Sequence, residues 1–280
     1  MNQKDFLSFY DFTNRTILVT GGAGVLGVEI SRMLVECNAN VAILSRNTER
    51  GEKSILEINK ANQGNGRAIY VHGDVLKVDT LHQANEMIGS QFGEVDILIN
   101  AAGGNHPSAT TSADLSFFDL PLDTLRYISD LNLLGTILPC QVFGRGMAKR
   151  GEGVILNVSS MNAYRPLTRI PAYAAAKAAV TNFTQWLAVH MAQNYSPRIR
   201  VNAIAPGFII TDLNRFLLMD TDTGDYTARG KSVVTHTPMN RFGTPEDLIG
   251  ATMWLISPAA AFVTGTVIPV DGGFSAYSGV

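Results

Sequence analysis

The sequence predicts a doubly wound α/β fold, in which a parallel sheet of about seven strands is flanked by helices. Short apolar, β-branched segments alternate with helix-length segments along the 280 residues. The apolar segments lack the two-residue alternation of a half-solvated sheet, which is typical of strands covered on both faces. The helical spacers supply the crossovers that parallel strands require. The predicted strands are residues 16–20, 40–44, 68–71, 96–99, 153–158, 200–204 and 266–270.

Composition excludes several classes of protein. The chain carries 22 Lys and Arg against 24 Asp and Glu, so no broad positive field favours nucleic acid or an anionic membrane. Cys37 and Cys140 lie far apart, and neither belongs to a C-x-x-C pair or has a His at metal-ligand spacing. A disulfide scaffold and a metal site are therefore not expected. The first residues show no basic region followed by an apolar run, which predicts a cytoplasmic protein.

One segment resembles a membrane span. Residues 248–270 carry no charge and are numerous enough to cross a bilayer. Pro258 divides this segment into a helix-like half and a strand-like half, and glycines and hydroxyl residues interrupt both. The sequence therefore predicts buried core here and no membrane partner.

No repeat or Pro-rich linker divides the chain, so residues 1–280 are predicted to form a single nucleotide-binding domain. Two stretches, near 103–123 and 208–237, interrupt the alternation of strands and helices. Each follows a predicted strand, and ligands of open α/β sheets bind outside the carboxyl ends of the strands. We interpret both as insertions that cover a substrate, with ordinary surface loops as the alternative.

A glycine-rich turn follows the first predicted strand and opens a helix. In this position glycines let the backbone approach a pyrophosphate at the positive end of the helix. The turn thus predicts a Rossmann-type unit for NAD or NADP, whereas tight packing without a ligand is the alternative. The residues assigned to this turn are Gly21, Gly22, Gly24, Val25, Leu26 and Gly27.

The end of the second predicted strand bears on the choice between NAD and NADP. An enzyme that selects NAD usually has an acid here for the ribose 2′-hydroxyl, and this chain has none. Ser45 could donate to a 2′-phosphate oxygen and Arg46 could pair with its charge, which favours NADP. The alternative is NAD, with Arg46 a solvated loop cation.

Further cofactor contacts are predicted at the ends of the third and fourth strands. Asp74 is placed to contact adenine, and the small residues after the fourth strand leave room for the cofactor. Either feature alone is also typical of an ordinary strand end. The residues assigned here are Asp74, Val75, Asn100, Ala101, Ala102 and Gly103.

Three residues carry the chemistry that the sequence predicts. Tyr173 and Lys177, four positions apart, share one helix face. A phenol is a poor proton carrier at neutral pH, but a fixed ammonium nearby favours the phenolate and lowers its pKa. Ser160, at the end of the fifth strand, could hydrogen-bond the substrate oxygen and stabilise developing charge. This constellation predicts proton transfer at a carbinol carbon.

From about Asn14 onwards the chain resembles the classical short-chain dehydrogenase/reductase family. The features that carry the resemblance occur in the family's order: the turn at 20–27, Asp74, the segment 100–103, Asn132, Ser160, Tyr173, Lys177, Pro206, Gly207, Thr211 and the segment 271–273. Two departures are Val25 and Ala101, where the family usually has a glycine and an asparagine. Neither is expected to touch the reacting atoms.

The resemblance implies a role for each matching residue. Tyr173 is implied as the general acid/base, Lys177 as the residue that binds the ribose hydroxyls and lowers the Tyr173 pKa, and Ser160 as the group that polarises the carbonyl. Asn132 is implied to hold a water in a proton relay. The implied nicotinamide contacts are Pro206, Gly207, Ile209 and Thr211. The family likeness also implies a homotetramer.

Within the family, the chain resembles the D-mannonate oxidoreductase (fructuronate reductase) branch. The likeness rests on the glycine-rich turn and on residues 103–107, 160–163, 165–168 and 271–280. A sugar-acid substrate needs a cation for its carboxylate and polar groups for its hydroxyls, and the active-site side of the chain offers both, Arg169 included. The predicted substrate residues are Asn105, Asn162, Arg165, Phe208, Asn214 and Arg215.

The predicted function is NAD(P)-dependent interconversion of a secondary alcohol and a ketone, with D-fructuronate and D-mannonate as the favoured pair. A gluconate 5-dehydrogenase-like enzyme and a 3-oxoacyl-thioester reductase are the alternatives within the enzyme class. A nucleotide-sensing regulator that does not turn over is the alternative outside it.

Overall fold

The computed structural model describes residues 2–211, 215–220 and 223–279, and it contains a seven-stranded parallel sheet. The strands are β1 (Thr16–Thr20), β2 (Asn40–Ser45), β3 (Arg67–His72), β4 (Ile97–Asn100), β5 (Gly153–Val158), β6 (Ile199–Pro206) and β7 (Val267–Val270). Each predicted strand is present, with ends that agree or differ by at most two residues. The predicted fold class is confirmed.

Helices connect the strands and cover both faces of the sheet. They are α1 (Gln3–Leu7), α2 (Val25–Glu36), α3 (Thr48–Ala61), α4 (Val78–Phe92), α5 (Leu122–Ser129), α6 (Gly135–Arg150), α7 (Pro171–Asn194), α8 (Arg215–Leu218), α9 (Ala228–Thr235) and α10 (Ile249–Ile256). A π-helical turn, Asp130–Leu134, joins α5 to α6. In the segment 103–123, short 3₁₀ turns lie at Pro107–Ala109 and Phe117–Asp119.

Two apolar clusters lie on opposite faces of the sheet. The first packs α2, α3 and α10 against the strands through residues such as Leu34, Ile58 and Leu255. The second packs α4, α6 and α7 through residues such as Ile88 and Phe143. Because both faces are covered, every residue of β1 and β6 is buried, as the unbroken apolar runs predicted.

The order of strands across the sheet places the site. The order is β3-β2-β1-β4-β5-β6-β7, so β1 has β2 on one side and β4 on the other. The chain therefore winds outwards in both directions from β1 and β4, which leaves a crevice at their carboxyl ends. In open α/β sheets ligands bind in this crevice.

The uncharged segment 248–270 contains α10, a short 3₁₀ turn at Pro258–Ala260 and strand β7. Leu248, Leu255 and Ala260 are fully buried within the protein. Of the helices in the described ranges, none is both long and apolar enough to cross a membrane.

Candidate active site

The glycine-rich turn runs from β1 into α2 at the edge of the crevice. Gly21 has a φ of +65°, and a Cβ there would lie 2.7 Å from the Ala102 Cα, so both the backbone conformation and the contact require glycine. Gly24 is the N-cap of α2, and Val25 is the first residue of the helix. A Cβ at Gly27 would lie 2.6 Å from the Gly22 Cα, so the helix packs directly on the turn.

A cleft of about 670 Å³ lies against this turn. It brings together three of the predicted regions: the glycine turn, the end of β2 and the segment after β4. The lining residues are Gly21, Ala23, Gly24, Leu44, Ser45, Arg46, Asn47, Arg50, Gly73, Val75, Ala101, Ala102, Gly103 and Leu131. Backbone N–H groups at a helix start, small residues and cations on one wall suit a dinucleotide.

Two cations, Arg46 after β2 and Arg50 in α3, line the cleft. Arg46 donates to the Tyr127 hydroxyl at 3.3 Å, and this bond is the largest effect raising the pKa of the guanidinium. Arg50 lies one turn into α3, whose N-cap Asn47 accepts from the Arg50 backbone N–H at 2.8 Å. Asn47 and Arg50 were not among the predicted cofactor residues. The sequence signal that could have found them is an N-cap asparagine two residues after the second strand.

Two residues assigned to the cofactor turn their side chains elsewhere. Asn100 is buried, and its amide donates to Asn157 on β5 at 2.9 Å. Asp74 accepts from the Leu76 backbone N–H at 3.0 Å, which stabilises the turn after β3. The small residues beside them, Val75 and Ala101, do line the cleft.

The predicted catalytic residues converge beyond the end of β5. Ser160 is 6% exposed, and its side chain acts on Tyr173 to lower the pKa of the phenol. Lys177 is 3% exposed, and its Nζ donates to the Val158 carbonyl at 2.8 Å and lies 5.7 Å from the centroid of the Tyr173 ring. The three side chains thus form one cluster: β5 leads to Ser160, and the Val158 carbonyl of β5 holds Lys177, which lies on α7.

The electrostatics of this cluster correct one expectation. Burial is the largest effect on Tyr173 and raises its pKa, and the hydrogen bond with Ser160 opposes that rise. Burial also lowers the pKa of Lys177 to about 8. A lowered Tyr173 pKa was predicted, but the protein groups alone raise it, because the low dielectric around the phenol disfavours the phenolate more than Ser160 favours it.

Asn132 lies in the π-helical turn and is fully buried. Its side chain donates to the carbonyls of Gly104 and Ile128, both at 2.8 Å, and accepts from the Gly104 N–H at 3.1 Å. A Cβ at Gly103 would lie 2.8 Å from the Asn132 Oδ1 and 3.3 Å from the Lys177 Nζ. Asn132 thus holds the segment after β4 against the catalytic cluster.

The end of β6 forms another wall of the site. Pro206 ends the strand, and a Cβ at Gly207 would lie 2.6 Å from the Asp271 Cα, so the backbone passes close to the segment after β7. Phe208 packs edge-on against Phe274 with ring centroids 5.3 Å apart. Ile209 bridges to Gly243, and the Thr211 carbonyl accepts from the Arg215 N–H at 2.9 Å.

The predicted substrate residues separate into two groups. Asn162 is buried in the cluster, where its amide donates to the Ser160 Oγ at 3.2 Å and its Oδ1 accepts from the Leu167 N–H at 3.0 Å. Asn105 and Arg165 are exposed and bonded to their surroundings, Asn105 to Thr110 and Arg165 to the Ser275 carbonyl.

Arg215 is also exposed, with one guanidinium nitrogen 3.5 Å from the Met219 sulfur. Asn214 lies outside the described residues.

A second cleft, of about 580 Å³, lies between Phe208 and the segment that links Ser160 to α7. Its lining residues are Leu167, Thr168, Arg169, Phe208, Ala228, Arg229, Ser232, Val233, His236 and Phe274. Of these, Arg229 and Ser232 on α9 and His236 directly after it were missed, because no spacing rule relates a short helix in a long insertion to a strand end.

The chain is similar to known proteins over almost its whole length. A family model described as enoyl-(acyl carrier protein) reductase matches residues 22–275. The UxuB oxidoreductase of Bacillus subtilis, whose activity is uncharacterised, is 45% identical over 279 residues, which are 96% of this chain and 98% of that protein.

Solved structures agree with this likeness. A Haemophilus influenza protein with bound NAD, described as a candidate D-mannonate oxidoreductase, has a TM-score of 0.88 and 44% identity, covering 96% of this chain and 98% of that one. A gluconate 5-dehydrogenase from Burkholderia cenocepacia, solved with NADP and tartrate, has a TM-score of 0.84 and 29% identity, covering 97% and 99%.

The chain belongs to the short-chain dehydrogenase/reductase family. It is an NAD(P)-dependent oxidoreductase that acts on CH–OH groups. This finding argues against a nucleotide-sensing regulator that does not turn over.

Proposed function

We propose that this enzyme interconverts a sugar acid and its keto form, with D-mannonate and D-fructuronate as the pair. The observation that carries the chemistry is the cluster after β5, in which the buried Ser160 side chain favours the Tyr173 phenolate and the buried Lys177 Nζ lies 5.7 Å from the centroid of the Tyr173 ring. The substrate class is supported by the likeness to the Haemophilus protein and by the cationic cleft beside Phe208.

The cofactor cleft fits a dinucleotide because Gly21 leaves no room for a Cβ and the start of α2 faces the same space. We assign the pyrophosphate to the residues of this turn, and the nicotinamide end to the segment from Pro206 to Thr211. When bound, the nicotinamide supplies or accepts the hydride. The other steps belong to side chains of the chain itself.

Tyr173 is the proposed general acid/base. In the reducing direction its hydroxyl gives a proton to the oxygen of the new alcohol, and in the oxidising direction the phenolate removes that proton. The raised pKa keeps the phenol protonated at neutral pH, which suits the reducing direction. Ser160 donates to the carbonyl oxygen and stabilises the negative charge that develops there.

Lys177 and Asn132 position the cluster and order the path by which it exchanges protons with solvent. The Lys177 ammonium is fixed by the Val158 carbonyl and is placed to bind ribose hydroxyls and to favour the phenolate. Asn132 anchors the Gly104 backbone, and we propose that it orders the proton path from Lys177 to solvent.

For the cofactor we propose NADP. Ser45, Arg46 and Arg50 line the end of the cleft that would receive the ribose, and no acid lies among its described lining residues. A 2′-phosphate would offer these cations a charge-assisted, bidentate partner. The Haemophilus structure holds NAD, so both cofactors belong in the test.

Initial rates with three ketones test the proposal. D-fructuronate, 5-ketogluconate and a 3-oxoacyl thioester are reduced in parallel with NADPH and NADH, followed at the absorbance of the reduced nicotinamide. We expect the highest kcat/KM for D-fructuronate with NADPH. A higher value for 5-ketogluconate would favour the gluconate 5-dehydrogenase alternative, and one for the thioester would favour the acyl reductase.

We propose further that the chain folds as one domain and assembles as a homotetramer in the cytoplasm. Exposed apolar residues on α7 support self-association: Trp186 and Val189 are both 56% exposed, and Trp186 stacks on Phe183 and His190. Both cysteines are free thiols, which suits a reducing compartment. Sedimentation equilibrium would give the mass of the assembly.

A further inference from the structure

The second cleft, which we call the arginine cleft, contains unpaired positive charge. Arg169 and Arg229 both line it, and neither guanidinium has a hydrogen-bond or ion-pair partner within the described ranges. None of the described lining residues is acidic. Most exposed cations need no explanation, but two that share one concave surface without an acid are complementary to an anion.

The backbone at Arg169 gives a second, independent observation. Its φ is +75°, in the left-handed region that favours glycine and is uncommon for a residue with a long side chain. The Thr111 N–H donates to the Arg169 carbonyl at 2.8 Å, so the segment 103–123 holds this conformation in place. Strained residues of this kind concentrate at ligand sites, where the surrounding structure enforces them.

The arginine cleft adjoins the reacting groups. One wall is the segment 161–170, which begins after Ser160 and ends three residues before Tyr173. Leu167 of this wall donates its N–H to Asn162, which itself donates to Ser160. The opposite wall is Phe208, which follows Gly207 at the end of β6.

Neutral polar groups complete the surface. Thr168 and Ser232 contribute hydroxyls, and the His236 Nδ1 donates to the Ser232 carbonyl at 2.8 Å, which leaves Nε2 for another partner. Hydroxyls and an imidazole nitrogen suit a polyhydroxylated chain, whereas the two guanidinium groups suit a carboxylate.

We infer that Arg169 and Arg229 bind the substrate carboxylate and are the residues that select an acidic substrate. The inference rests on the proposed function, since the carboxylate is that of the sugar acid. We assign this role to Arg169 and Arg229 instead of Arg165 and Arg215. Arg165 is bonded to the C-terminal segment, and Arg215 lies beside Met219.

Two variants remove the charges without endangering the fold. Arg229→Met changes an exposed position on α9, and Arg169→Gly places at a φ of +75° the residue that this conformation favours. Lys231→Met is the matched control, because it removes one positive charge from the same helix at a position that does not line the cleft.

The experiment has a kinetic and a binding readout. For D-fructuronate reduction, we expect each arginine variant to raise KM about tenfold or more with kcat nearly unchanged. This change in KM corresponds to the loss of one charge-assisted hydrogen bond. The affinity for tartrate, a small hydroxy dicarboxylate, is measured by calorimetry on the cofactor-loaded enzyme and should fall by a similar factor. Lys231→Met should alter neither quantity.

The outcomes separate this inference from the proposed function. Turnover of D-fructuronate with unchanged KM in both arginine variants would overturn the inference and leave the function standing. No turnover of D-fructuronate, combined with tartrate binding that both variants weaken, would support the inference and reject that substrate. A wild-type enzyme that neither turns over D-fructuronate nor binds tartrate would overturn both.

Discussion

The segment 161–170 joins the catalytic cluster to the arginine cleft, but the two regions differ in how their charged groups are held. Lys177 is 3% exposed, and its ammonium donates to the Val158 carbonyl at 2.8 Å. Arg169 and Arg229 are exposed and line their cleft without a partner in the described chain. The fold therefore positions the buried ammonium of Lys177, whereas the exposed guanidinium groups of Arg169 and Arg229 are free to bind a ligand.

This difference divides the work of the enzyme. A cluster whose groups are already held in place costs little reorganisation when charge develops, which is the requirement of a catalytic group. Exposed cations outside the sheet can change without disturbing it, which is the requirement of a specificity group. We therefore expect variants in the cluster to act on kcat and variants in the cleft to act on KM.

Tyr173→Phe should produce the largest effect. Removal of the hydroxyl eliminates the proton donor, so kcat should fall by about 10²–10⁴-fold, the usual contribution of general acid/base catalysis. The affinity for NADPH, measured by nucleotide fluorescence, should be nearly unchanged. Tyr164→Phe is the matched control, because the Tyr164 hydroxyl donates to the Val267 carbonyl outside the cluster, and it should retain most turnover. Retained kcat in Tyr173→Phe would refute the assigned role.

Lys177→Met should lose activity yet stabilise the chain. Below about pH 8 the folded protein holds a buried ammonium whose pKa has fallen from 10.5 to about 8, a cost of up to about 3 kcal/mol that methionine avoids. We expect a higher free energy of unfolding for the variant at pH 7, measured by urea denaturation without nucleotide. A variant that is less stable at this pH would contradict the burial cost.

The same variant has a pH signature. Between about pH 8 and 10.5 the folded wild-type chain releases the Lys177 proton while the unfolded chain keeps its own, so the wild type gains stability as pH rises. The advantage of Lys177→Met should therefore shrink through this window. A constant difference from pH 7 to 10 would show that Lys177 does not titrate as described.

Arg46→Gln extends the comparison to the cofactor cleft. If Arg46 pairs with a 2′-phosphate, kcat/KM for NADPH should fall about tenfold or more while the value for NADH changes little. Lys53→Gln on α3 removes a charge that does not line the cleft and should leave both values unchanged. Equal losses with both cofactors would assign Arg46 to another role.

Ser160→Ala should lower kcat, and it should also cause a small rise in the pKa of Tyr173. This change in pKa is the smallest effect predicted here. The Ser160 hydrogen bond opposes the rise in the Tyr173 pKa that burial causes. Without it, the pKa should rise further, and the pH at which alcohol oxidation reaches half its maximum should move upward. An unchanged or lower midpoint would show that Ser160 does not favour the phenolate.

The sequence predicts the buried half of this molecule well, for a physical reason. Strands covered on both faces need continuous apolar runs, so β1 and β6 are visible in the sequence. A glycine with positive φ that touches another backbone, such as Gly21, leaves an equally clear signal. Tyr173 and Lys177 share a helix face, and the fold brings that face to Ser160.

The exposed half is less visible. Arg165 and Arg229 both lie in polar segments, so the sequence does not distinguish them. In the fold, Arg165 is bonded to the Ser275 carbonyl, whereas Arg229 lines a cleft because α9 packs beside Phe208. The Tyr173 pKa was also beyond sequence reasoning, because spacing shows the neighbouring ammonium but not how deeply the phenol is buried.

Transfer of deuterium tests the central claim most directly. The enzyme is given D-fructuronate and NADPH deuterated at the reactive face of the nicotinamide C4, and the product is examined by NMR and mass spectrometry. The account predicts D-mannonate with one deuterium on the carbinol carbon formed from the ketone. No reduction of D-fructuronate, or a product without deuterium on that carbon, would contradict it.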